Sequence, residues 1–154
     1  MRPIALRDDP VERLMRKLGL HCDVQFQTAL RDALNDLLES HTGTSPKLAG
    51  YTGSKPTNIS DAATGTKLFE ITLPSDWMGA SSSGVKSMSG TWQDSAADNT
   101  GTVGYWELRK SDDTVIMRGS VGVGSGELQF LTTSITAGQP INVTAFAFTA
   151  PGAT

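Results

Sequence analysis

Apolar side chains recur at helical spacing in the first 43 residues. Asp9 is a candidate N-cap, Pro10 holds the favoured first helical position, and Gly19 ends the run. One stripe at the i, i+3, i+4, i+7 spacing consists of Val11, Leu14, Met15 and Leu18. The pattern therefore predicts a short amphipathic helix over residues 10–19.

A second helix is predicted from about Asp23, its candidate N-cap, to Ser40. Its apolar face consists of Phe26, Ala29, Leu30, Ala33, Leu34, Leu37 and Leu38. Its polar face consists of Arg31, Asp32, Asn35, Asp36 and Glu39. A helix this short is marginal alone, and burial of each large apolar side chain contributes about 1.5–3 kcal/mol. The apolar face must therefore dock, either on the chain's own sheet or on another subunit.

From residue 44 onward, apolar residues alternate in short runs that Gly, Ser, Asp and Pro interrupt. The runs predict strands over 48–51, 67–73, 103–110, 114–121, 127–131 and 139–149. In the 103–110 run, Trp106 and Leu108 are expected to face inward, and Tyr105, Glu107 and Arg109 outward. Residues 111–113 form the turn of the clearest hairpin. We expect two domains, a two-helix arm over 1–43 and an antiparallel, jelly-roll-like β-sandwich over 44–154.

Residues 75–101 are rich in Ser, Thr, Gly and Ala, and a loop of this length is usually functional or packed on itself. A short strand over 88–93 is expected inside it. Trp77 and Trp92 are either core residues or an exposed ligand platform. The glycine-rich run 122–126 lacks the Lys-Ser/Thr ending of a phosphate-binding loop and is expected to be a hairpin tip.

Charge and composition argue against several classes of protein. A net charge of −3 and a pI near 5.3 disfavour a nucleic-acid binder, which usually carries a basic patch. The single cysteine excludes an intramolecular disulfide framework. No apolar run reaches the roughly 20 residues that span a bilayer. The opening MRPIALRDDP reaches two aspartates too early for a cleaved signal peptide.

Candidate catalytic groups are few. Both histidines, His21 and His41, lie in the helical segment, so a nucleophilic relay in the β part would need its base from there. The adjacent His21 and Cys22 do not have the spacing of metal ligands. Asp76 and Glu107 are the only carboxylate pair that we consider for glycoside hydrolysis.

Loop oxygens offer one further candidate site. Asp94, Asp98 and Asn99 carry oxygens that calcium accepts, but their spacing is not that of an EF-hand. We therefore expect no catalytic site, metal or cofactor.

Several short phrases resemble a known family. They are ALND at 33–36, GTSPKL at 43–48, LPSDWM at 73–78, SGTWQD at 89–94, NTGT at 99–102, RGSVG at 118–122 and TSITAGQ at 133–139. Together they resemble small accessory proteins encoded in the structural gene regions of tailed bacteriophages and prophages. The resemblance spans residues 26–150 and implies a short helix before a β-sandwich. It transfers no catalytic residue, and residues 1–22 precede it.

The expected function is that of a non-enzymatic virion component, made in the host bacterial cytoplasm. It would decorate the head shell or neck, anchored by Val11, Leu14, Met15, Leu18, Phe26, Leu30, Leu34, Leu37 and Leu38. Its expected partners are other copies of itself and capsid, portal, neck or other virion proteins, with no nucleic acid, membrane or small-molecule substrate. The alternative is a tail- or fibre-associated module that binds host-surface glycan on Trp77 or Trp92.

Overall fold

Two helices precede the strands in the computed structural model, which describes residues 10–19, 23–123, 128–130 and 132–151. Helix α1 spans Pro10–Lys17 and α2 spans Val24–Thr42. The predicted cap of α2 is confirmed, because Asp23 Oδ1 accepts a 2.8 Å hydrogen bond from the Phe26 N–H. Gly43, at φ 84°, ends α2 in a conformation that favours glycine. The predicted cap of α1, Asp9, lies outside the described residues.

Short strands make up most of the remaining regular structure. They are β1 (Lys47–Thr52), β2 (Lys67–Thr72), β3 (Val85–Ser87), β4 (Gln93–Asp94), β5 (Gly101–Arg109), β6 (Val115–Val123), β7 (Leu128–Phe130), β8 (Ser134–Ile135), β9 (Ile141–Asn142) and β10 (Ala145–Thr149). The large sheet has the order β2-β1-β5-β6-β7-β10-β3, with β8 paired to β5, and β4 pairs with β9 separately. The chain is therefore mainly β, with a short helical part, as the strand spacing predicts.

The predicted hairpin of β5 and β6 is confirmed. The strands pair antiparallel, with Glu107 opposite Arg118 and Leu108 opposite Met117. The turn is closed by the Lys110 and Asp113 N–H groups, which donate to the carbonyls of Thr114 and Lys110.

Three local predictions are wrong. The run 122–126 is not a hairpin tip, because β6 and β7 on either side of it pair parallel; residues 124–126 themselves lie outside the described residues. Residues 88–93 do not form one strand, since β3 ends before them and β4 begins at Gln93. The 139–149 run is divided into β9 and β10, and each strand pairs with a different partner.

Aromatic side chains fill the main core. Trp92 and Trp106 pack around Phe146, with ring centroids 5.1 and 5.2 Å away, and Phe148 lies 5.0 Å from Phe146. The Trp106 ring also covers Gly119, where an added Cβ would come within 2.4 Å of it. The absence of a side chain at residue 119 thus leaves the space that the ring occupies beside β6.

A second layer covers the other face of β1 and β5. Tyr105 and Glu107 do lie opposite Trp106, but the expectation that they face solvent is wrong, since their exposures are 1% and 0%. The 53–66 loop folds over them: the Tyr105 hydroxyl donates to the Thr64 carbonyl and accepts from the Thr64 N–H. Tyr51 stacks on Tyr105 at 5.2 Å between centroids. The alternation of side chains along β5 predicted correctly that these residues share one face. That this face is buried depends on the 53–66 loop, which covers it.

Candidate functional site

Helix α2 docks through its polar face. Its buried side chains are Gln27, Arg31, Asn35 and Thr42. Asn35 Nδ2 donates to the Gly84 carbonyl at 3.0 Å, and Asp32 Oδ1 accepts from the Gly84 N–H at 2.7 Å. The sheet edge at β3 and the loop before it therefore bind the helix by hydrogen bonds.

A buried lysine completes this docking. Lys86 of β3 is 4% exposed, and its Nζ lies 2.6 Å from Asp36 Oδ1 and 2.8 Å from Glu39 Oε2. Burial alone would lower the pKa of Lys86, but the hydrogen bonds to the two carboxylates outweigh it and raise the pKa. Lys86 therefore stays charged and holds the second half of α2 to the sheet.

The two ends of the docked face are held to backbone carbonyls. Arg31 Nε donates to the Pro151 carbonyl at 3.1 Å, and the Trp77 indole N–H donates to Gly43 at the end of α2, also at 3.1 Å. Within the described residues, no buried side-chain nitrogen or oxygen lacks a hydrogen-bond partner. The buried polar atoms of this face all have hydrogen-bond partners, so the face gains no hydrogen bonds by exposure to solvent.

The apolar face of α2 consequently points to solvent. Phe26, Leu30, Leu34 and Leu37 are 51%, 37%, 51% and 67% exposed. We call these four residues the exposed α2 face. Of the two partners considered for this stripe, the chain's own sheet does not cover it. An exposed contiguous apolar surface of this kind marks an interaction site far more than isolated surface leucines do.

The other predicted anchoring residues divide between buried and exposed positions. In the α1 segment, Leu14 and Leu18, the residue directly after the helix, are more than half exposed, whereas Val11 is half-buried and Met15 is buried. On α2, Leu38 is half-buried. The prediction that all nine residues form one anchoring set is therefore wrong for Met15, which packs within the protein.

Two apolar grooves flank the exposed α2 face. One, of about 310 Å³, lies between α1 and α2 and is lined by Val11, Leu14, Leu30, Leu34, Leu37 and Pro151, among others. The second, of about 320 Å³, lies between α2 and β10 and includes Leu34, Leu38 and Phe148. The surface is thus ridged, which suits interlocking side chains better than a flat patch would.

Trp77 and Trp92 do not form a ligand platform. They are 0% and 1% exposed, and their rings are tilted by 42° with centroids 6.0 Å apart. Both indole N–H groups donate to backbone carbonyls, those of Gly43 and Ser89. The core interpretation is correct for both residues, so any glycan-binding surface would need other side chains.

The carboxylate pair considered for hydrolysis is also wrong. Asp76 is exposed, whereas Glu107 is fully buried, so the two do not face one cleft. Glu107 Oε1 accepts from Arg118 Nε at 2.6 Å, and Oε2 accepts from Arg109 at 2.6 Å. Arg118 also donates to the 53–66 loop, so the group of charges holds that loop down rather than acting on a substrate.

The three residues considered for calcium contact other groups of the protein. Asp94 Oδ1 accepts from the Ala96 N–H, Asn99 Nδ2 donates to the Lys67 carbonyl, and Asp98 lies 3.8 Å from Lys67 Nζ. In the part of the chain that the structure describes, no cluster of three His, Cys, Asp or Glu side chains could hold a metal ion. His21 and Cys22 lie outside the described residues. Neither described helix has the length and apolar character that crossing a membrane requires.

Sequence reasoning missed Lys86, Ser81 and Gly84, the sheet-side partners of α2. A signal for one of them was present: Lys86 is the only basic residue between Lys67 and Arg109. An isolated cation in a strand, with three acidic residues on one helix face, indicates an ion-paired docking contact. Ser81 and Gly84 carried no such signal.

Comparisons with protein families, curated proteins and solved structures found no match to this chain.

Proposed function

We propose that this chain is a non-enzymatic structural protein of a tailed-phage particle, attached through its helical arm to neighbouring proteins of the head shell or neck. The observation that carries the proposal is the exposed α2 face. The four apolar residues of this face are exposed to solvent because α2 docks on the sheet through its polar face. Such a surface is stabilised when another protein covers it.

The resemblance to small phage structural-region proteins supports the location. The motifs GTSPKL at 43–48 and LPSDWM at 73–78 contain residues that hold the end of α2, since the Trp77 indole donates to the Gly43 carbonyl. The resembling segments thus include the junction that presents the arm. An accessory protein needs such a junction, because an arm that swings freely would lose entropy on attachment.

We further propose that the β part is a β-sandwich. The β4–β9 pair lies apart from the large sheet, yet Ile141 of β9 and Trp92 beside β4 belong to the same buried core as Leu48 and Leu68 of the large sheet. Two layers that share one core are the basis of that architecture.

Particle association tests the proposal. Purified particles from cells that carry the gene should contain the chain, and crosslinking in intact particles should link it to capsid, portal or connector proteins. Leu34→Gln should reduce its incorporation. Ile59→Gln is the matched control, because Ile59 is equally exposed, at 51%, but lies on the 53–66 loop. Particles without the chain, or equal loss for both variants, would contradict the proposal.

A further inference from the structure

We infer that the exposed α2 face is covered by the same face of a second copy of this chain, with the two α2 helices antiparallel about a twofold axis. The inference rests on the proposed function and deepens it, since it names the first partner of the helical arm. Three features of α2 support it: the distribution of its charges, the order of its large and small side chains, and its size.

The acidic residues of α2 lie away from the exposed face, and its one arginine, Arg31, is buried at the groove between α1 and α2. Asp32, Asp36 and Glu39 contact Gly84 and Lys86 on the docked side. Successive residues of a helix are rotated by about 100°, and this places the exposed α2 face opposite those contacts. A partner surface must therefore also be apolar and uncharged at its centre, as interface cores are. The same face on a second copy meets this requirement.

The order of side chains on α2 is self-complementary. In an antiparallel pair with the twofold axis between Ala33 and Leu34, Leu30 lies opposite the second copy's Leu37. Ala33, which is exposed, lies opposite the second copy's Leu34, so a small residue faces a large one. Phe26 lies opposite the second copy's His41. Large side chains enter spaces over small ones without a clash, which is how helices interlock.

The size of the face suits a symmetric pair. The exposed α2 face runs over residues 26–37, about 18 Å of helix, and at a width of about 10–12 Å it covers roughly 200 Å². Two copies contribute it twice, and Leu14 of α1 and Leu18 directly after α1 add exposed apolar surface. The total stays below the roughly 1,000 Å² of a stable specific interface, so we expect a pair that dissociates on dilution. In a twofold pair, Leu30, Leu34 and Leu37 of one copy each face an apolar residue of the other.

Sedimentation equilibrium of the purified full chain tests the pairing. We expect a dimer, and Leu34→Gln should raise its dissociation constant about tenfold or more, because the twofold pair loses this apolar contact on both sides of its axis. Ile59→Gln, the equally exposed control, should leave the constant unchanged. Circular dichroism of both variants shows that they fold. A monomer at all concentrations, or equal weakening by both variants, would overturn the inference.

Engineered cysteines test the antiparallel register. In a Cys22→Ser background, the double variant Leu30→Cys/Leu37→Cys should oxidise to a disulfide-linked dimer, since each new thiol faces its counterpart across the axis. Either single variant should not, because its symmetry mate lies about 10.5 Å away along the helix, beyond disulfide reach. Efficient dimers from the single variants would indicate parallel helices and refute the register.

These results separate the two proposals. A dimer in solution that is absent from particles would refute the particle assignment and retain the pairing. A monomer that still enters particles through α2 would refute the pairing and retain the particle assignment.

Discussion

On α2 the polar face is buried and the apolar face is exposed, and a pair of substitutions tests this arrangement. Asn35→Ala replaces a buried polar residue by the best helix former, and Leu37→Gln replaces an exposed leucine by a residue of similar helix propensity. On propensity alone, Asn35→Ala should stabilise the helix. We expect instead that Asn35→Ala is the more damaging change.

The magnitudes follow from the contacts. Asn35 is 2% exposed and donates to the Gly84 carbonyl and the Ser81 hydroxyl. Its truncation leaves a buried carbonyl with one partner fewer, which costs about 1–3 kcal/mol. Leu37 is 67% exposed, so only about a third of its burial free energy is at stake, roughly 0.5–1 kcal/mol.

Urea unfolding measures both values. Far-ultraviolet circular dichroism reports the helices, and tryptophan fluorescence reports the sheet core. Dilute protein keeps any contribution of association small. A larger loss for Leu37→Gln than for Asn35→Ala, at equal and dilute concentration, would show that α2 docks through its apolar face and would refute the reasoning.

Three further changes probe the remaining contacts. Arg118→Met should release the 53–66 loop, because both terminal nitrogens of Arg118 donate to loop carbonyls at 2.7 Å; amide exchange within the loop should become faster. Gly119→Ala should lower the free energy of unfolding by about 1–3 kcal/mol, because its Cβ would come within 2.4 Å of the buried Trp106 ring. Lys86→Met should lower the free energy of unfolding most below pH 10.5, the ordinary lysine pKa, where Lys86 is charged in the folded and the unfolded wild type. The difference between variant and wild type should shrink as the pH rises through the raised pKa of Lys86 in the folded protein.

Each change has a control. Exchange in α2 should stay unchanged in Arg118→Met, and faster exchange everywhere would indicate general unfolding instead. Gly79→Ala should be tolerated, since its Cβ would lie 3.6 Å from the nearest atom. A Lys86→Met deficit that stays constant through alkaline pH would show that the ion pairs with Asp36 and Glu39 contribute nothing.

Local signals in the sequence determined some of the points where elements begin and turn. The Asp23 cap begins α2, and the 111–113 turn joins β5 to β6. These features depend on the conformational preferences of a few neighbouring residues, and those preferences are evident from the sequence itself. Alternation also distinguished the two faces of β5 correctly.

Only the tertiary structure decided which faces of the helices and strands are buried. The partners that bury the polar face of α2, Gly84 and Lys86, lie about 50 residues from it in sequence. Glu107 is likewise dry only because Arg109, Arg118 and the 53–66 loop meet over it. A helical pattern separates an apolar from a polar side, but the side that docks is set by hydrogen bonds and ion pairs from distant segments. On α2 those contacts hold the polar side to the sheet, and the apolar side is left at the surface.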